Sequence, residues 1–133
     1  MFFSTPREMK LYHAFIRTHH ITSRKKVATL KAAAKHLEVS ALLRSGSVPG
    51  LMYVHGPSLE SVQSWVCIVH DLRYKDYQLS AAPAELPTSA KKSAGEDEFG
   101  SLTEVDAVRD MAAIMEAKGL LEWWRKAMGY VGE

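Results

Sequence analysis

The 133-residue chain has a single cysteine, Cys67, which excludes an intrachain disulfide and a multi-cysteine metal site. Its setting, Trp65-Val66-Cys67-Ile68-Val69, predicts a buried, inert thiol in a reducing compartment, the cytosol or the nucleus. No apolar run approaches the ~20 residues that span a bilayer, and Met1-Phe-Phe-Ser-Thr-Pro6 lacks the basic start and apolar core of a signal peptide. Neither membrane insertion nor secretion is expected. Excess charge is scarce too: 17 basic residues face 15 acidic ones, a net charge of +2, so any case for nucleic acid has to come from where the cations sit. The motifs G-x-S-x-G, G-x-x-x-x-G-K-[ST], H-E-x-x-H and C-x-x-C are all missing, and no two carboxylates flank a histidine. A non-enzymatic chain with no cofactor and no metal is therefore expected. An acylphosphatase-like hydrolase would need a water-orienting amide. Asparagine is absent, and neither glutamine, Gln63 or Gln78, follows a suitable loop.

What is present suffices for one core: 47% of the residues are hydrophobic, and one domain over residues 9–133 is expected, as a monomer. From Met9 to Ile21 the β-branched and aromatic residues alternate, with Tyr12, Ala14 and Ile16 on one face and His13, Phe15, Arg17 and His19 on the other, as in a strand. From Ser23, Val27, Leu30, Ala34 and Leu37 recur at helical spacing among lysines. Two short apolar stretches, Ala41–Arg44 and Leu51–His55, are joined by a Gly- and Pro-containing hairpin loop. Ser58 caps a second helix with Val62, Trp65, Val66, Val69 and Leu72 as its buried stripe, and a strand over Tyr74–Ala81 ends at Pro83. The order β-α-β-β-α-β predicts an α+β, ferredoxin-like antiparallel sheet with both helices on one face and the other face open. Residues 83–98 are small, polar and aperiodic, which predicts a flexible loop. Beyond it a helical extension, 101–131, is expected: Ser101-Leu-Thr-Glu104 is a capping-box pattern, Gly119 ends that helix, and Leu120–Met128 forms another that must dock on the body.

Three constellations carry functional readings. His19-His20 is either a packing pair at a strand end, an anion contact or half of a metal site, the last opposed by the divergence of neighbouring strand residues. Arg24-Lys25-Lys26 places cations at the positive end of a helix dipole, an arrangement relieved by a bound anion; it is either a phosphate site or a solvated basic turn. On the expected open face, His13, Phe15 and Arg17 lie beside Leu51, Tyr53 and His55, a mixture suited to stacking unpaired bases. The alternative is that the Trp-rich final helix covers that face.

His19-His20-Ile21, the basic run after it, Gly46, Pro49-Gly50, Val54-x-Gly56, Trp65, Leu72-Arg-Tyr-Lys75 and Trp123-Trp124-x-x-x-Met128-Gly129-Tyr130 together resemble one family. It is the C-terminal domain shared by spliceosomal pre-mRNA processing factor three and several RWD-domain proteins. The resemblance runs from about Met9 to Val131 and implies a ferredoxin-like core. For the splicing-factor branch it implies binding of small nuclear RNA. The expected function is thus an RNA- or ribonucleoprotein-binding module contacting single-stranded or small nuclear RNA through His13, Phe15, Arg17, His19, His20, Arg24, Lys25, Lys26, Tyr53 and His55. The alternative is a protein-interaction module that makes no RNA contact.

Overall fold

The computed structural model describes residues 10–87, 90 and 99–129. Five strands and four helices follow in the order β1 (Tyr12–Thr18), α1 (Arg24–Leu37), β2 (Ser40–Arg44), β3 (Gly50–Gly56), α2 (Leu59–Asp71), β4 (Gln78–Glu85), β5 (Ser101–Val105), α3 (Val108–Ala117) and α4 (Leu121–Met128). The chain is α+β, with one five-stranded mixed sheet in the order β4-β1-β3-β2-β5. β1 pairs antiparallel with β3 and β4, β2 pairs antiparallel with β3, and β5 lies parallel to β2. A purely antiparallel sheet is therefore not what forms.

Both helices of the first half start where a serine can cap them. Ser23 accepts from the Lys26 amide at 3.2 Å and Ser58 from the Ser61 amide at 3.3 Å, each satisfying one of the orphan N–H groups of a first turn. Both helices pack on one face of the sheet, where Val27, Leu30, Val62, Trp65, Val66 and Val69 meet Ala14, Ile16, Leu43, Met52 and Val54. The Trp65 indole N–H donates to the Leu30 carbonyl at 3.1 Å, joining α2 to α1 without an unsatisfied donor. Two residues on, Cys67 turns outward and is exposed, which corrects the expectation of a buried thiol. The 100° step of a helix separates it from the inward Val66 even though the local sequence is apolar throughout.

Three further expectations are corrected. The second face of the sheet is not open: α3 and α4 cover it, with Met111, Met115, Leu120, Trp124 and Met128 packed on Phe15, Leu42, Leu51 and Tyr53. Ser101–Val105 is a strand rather than the start of a helix. The unpaired edge of β2 takes up its backbone groups, and the reaching-back carboxylate of the next helix is Asp110, which accepts from the Ala107 amide at 3.2 Å. Nor does Pro83 end its strand. β4 is an edge, and its pairing with β1 shifts register between His13 and Phe15, so the missing N–H falls where the ladder is already interrupted. Of the segment 83–98 expected to be a loop, residues 83–85 belong to β4, while 88–89 and 91–98 lie outside the described residues.

Arg44 fastens the loop between β2 and β3 to the connection before α3. Its guanidinium donates to the carbonyls of Asp106 at 2.8 Å, Ser47 at 3.1 Å and Pro49 at 3.0 Å, and to the Ser47 hydroxyl at 3.0 Å. Gly46 belongs to this junction, because a Cβ there would collide with the Asp106 carbonyl.

Val66 is 6% exposed. Val66→Asp is expected to destabilise the chain by on the order of 4 kcal/mol, through an unpaired buried charge, and to remove the cooperative thermal transition. Cys67→Asp, on the outward face of the same helix, is expected to stay within about 0.5 kcal/mol of the parent.

Candidate functional site

The residues expected to stack bases are inside the protein. Phe15 is fully buried, and His13, Tyr53 and His55 are between 1% and 3% exposed. His13 Nδ1 and the Tyr53 hydroxyl share a hydrogen bond of 2.8 Å. The Trp123 ring stacks on His13 with centroids 4.0 Å apart, and Phe99 meets His55 edge-on at 5.6 Å. The faces a base would need are thus occupied by the chain's own aromatics. Arg17 is likewise engaged: its Nη1 donates to the Met128 carbonyl at 3.0 Å, capping the C-terminus of α4. The stacking face expected from the sequence is corrected to an interior layer. It failed as an expectation because strand alternation shows which residues share a face and is silent on what lies over that face.

The cations at the start of α1 remain at the surface, with different roles. Arg24 makes a two-pronged pair with Glu104 of β5, at 3.0 and 2.8 Å, and Glu104 also accepts from the Ser45 hydroxyl at 2.7 Å. These donors hold the Glu104 carboxyl below its usual range. Arg24 therefore ties β5 to α1. Lys25 is exposed, while Lys26 is half-buried and lays its ammonium 4.9 Å from the centre of the Tyr74 ring.

Lys26 and Tyr74 belong to a pocket of about 250 Å³ lined also by His20, Ser23, Arg73 and Lys75. Two loops build it. The segment after β1 is pinned by the His19 amide donating to the Lys75 carbonyl at 2.8 Å, and by the Gly50 amide donating to the His19 carbonyl at 3.1 Å. The segment after α2 turns through Arg73 at φ 59° and Asp76 at φ 56°, left-handed conformations that cost non-glycine residues of order 1 kcal/mol each. That turn brings Arg73 and Lys75 to the positive end of α1. His19 sits beside the pocket, 3.3 Å from the Asp76 carboxylate and with its ring 4.8 Å from that of His20. The Tyr74 hydroxyl is buried and has no hydrogen-bond partner, and burial pushes its pKa up to about 12, so it stays a donor. No group of three or more His, Cys, Asp or Glu able to hold a metal occurs among the described residues.

The structure thus brings His20 and Lys26 together with Arg73, Tyr74 and Lys75, leaves His19 and Lys25 nearby, assigns Arg24 and Arg17 to structural bonds, and buries His13, Phe15, Tyr53 and His55. Arg73, Tyr74 and Lys75 were not among the expected site residues. Their sequence signal is the basic-aromatic-basic run itself, within Leu72-Arg-Tyr-Lys75. No protein-family model matches the chain, and no curated protein matches it in sequence.

The buried histidines make stability depend on pH. Burial lowers His13 from 6.5 to about 4, and it lowers His55 from 6.5 to about 3 with a smaller contribution from the Lys118 charge. Below pH 6.5 the unfolded chain takes up protons that the folded chain refuses. The stability these neutral rings contribute is therefore complete above pH 6.5 and is lost as pH falls toward 4 and then 3, by up to about 1.4 kcal/mol per pH unit for each histidine. Urea unfolding between pH 7 and 4 measures this slope, and His13→Gln, retaining a polar group beside Tyr53, is expected to flatten it.

Proposed function

We propose that the chain is a non-enzymatic RNA-binding module that grips the phosphate backbone of single-stranded or small nuclear RNA in the pocket at the start of α1. The observation that carries this reading is the pocket itself, whose lining brings the cations Lys26, Arg73 and Lys75 together with His20 beside Tyr74. A phosphate there relieves the repulsion among the cations and faces the positive end of α1. With the aromatic layer of the sheet occupied, recognition rests on phosphate rather than on base stacking, so little sequence preference is expected. The resemblance to the splicing-factor domain supports RNA over other polyanions. We read the β4-β1-β3-β2 part with α1 and α2 as a ferredoxin-like unit, extended by β5, α3 and α4. The strand order and the placement of both helices on one face support that reading.

Titration of the chain with a mixed-sequence single-stranded RNA in low salt is expected to move the amide resonances of residues 20–26 and 73–75. Lys26→Gln and Arg73→Gln are each expected to weaken binding to every sequence and to make the salt dependence shallower by about 0.7 per lost phosphate contact. Lys35→Gln, at the other end of α1, serves as the control. Unmoved resonances at millimolar RNA would remove the proposal.

A further inference from the structure

A second cavity, of about 180 Å³, lies between the sheet and α3. Leu42, Tyr53 and His55 form part of its lining from the sheet, Thr103 from β5, and Ile114 and Lys118 from α3 and its C-terminal end. Its lining combines apolar side chains with a buried histidine: His55 is 3% exposed, and its Nδ1 has no hydrogen-bond partner. The neighbouring Tyr53 hydroxyl is already engaged by His13, and Phe99 packs against the His55 ring. Thr103 is exposed and Lys118 half-buried, which sets them at the mouth. Among the described residues, Lys118 is the one formally charged side chain in the lining.

An apolar cavity of about 150 Å³ accommodates a benzene ring, so this one has room for a ring of that size and one small substituent. The substituent is chosen by the donors. A lone ammonium at the mouth and an imidazole N–H further in suit a planar carboxylate, and the single ammonium with its apolar walls is a poor match for the heavier charge and hydration of a phosphate. We propose that this cavity is a binding site for a small aryl or branched alkyl carboxylate. Its carboxylate pairs with the Lys118 ammonium and accepts from His55, and its hydrocarbon part lies against Leu42 and Ile114. The site is separate from the pocket at α1 and takes a different class of ligand.

The test uses the whole chain and three probes of one shape: benzoate, benzyl alcohol and benzylamine. Benzoate at millimolar concentration is expected to produce saturable shifts at Leu42, His55, Ile114 and Lys118, with the alcohol weaker and the amine inert. Lys118→Gln is expected to weaken benzoate at least tenfold with an unchanged melting temperature. Ile114→Trp, which fills the cavity from a half-buried position, is expected to abolish binding. Absence of saturable shifts with benzoate overturns the site. Equal binding of the amine or alcohol, or undiminished affinity in Lys118→Gln, overturns the assignment to carboxylates. Retained binding in Ile114→Trp overturns the location.

Discussion

Burial of the central strands on both faces is the constraint on which the rest of the structure depends. All seven residues of β3 are buried, and of β1 only Tyr12 and Arg17 retain partial exposure. A sheet packed from one side can alternate apolar and polar residues freely. One packed from both sides must find partners for every polar group it carries inward. His13 and Tyr53 meet that demand with each other, across the β1–β3 pairing that places them two residues apart in register. His55 meets it incompletely, its Nδ1 being without a partner, and a cavity lies beside the residue.

That double burial also decides where charge can act. With α3 and α4 on the sheet, Arg17 turns to the end of α4, and Lys26, Arg73 and Lys75 come together beyond the strand ends. There the α1 dipole, the turn after α2 and the pinned segment after β1 converge. Like charges gather in that pocket at a cost that surface screening limits, and their opposite numbers are used elsewhere: Glu104 is committed to Arg24, and Asp76 to His19. The strained backbone at Arg73 and Asp76 persists because the bonds of the adjacent segment hold the turn in place.

Much of the first half was legible from periodicity. The alternation in β1, the stripes of α1 and α2, the serine cap at Ser58 and the hairpin between β2 and β3 are local patterns, written within a few residues of where they act. The failures share a different physics. Ser101–Val105 carries a passable helix-start pattern, and only the unpaired edge of β2, some sixty residues earlier in the chain, makes it a strand. Pro83 reads as a strand terminator until the strand is known to lie at an edge with a shifted register. Cys67 reads as core because its neighbours are apolar, although the helix turns it outward.

By itself the sequence determined that the chain has one alternating α and β framework, where its first two helices begin, and that Trp123 and Trp124 need something to cover. Those are consequences of backbone hydrogen bonding and hydrophobic spacing, which act over one or two turns. Only the tertiary structure decided that the covered surface is the sheet, and so that His13, Phe15, Tyr53 and His55 are interior while Arg73 and Lys75 join Lys26 at the surface beside the buried Tyr74. The identity of a site depends on which distant segments meet, and that is settled by the packing of whole layers, a property no window of sequence contains.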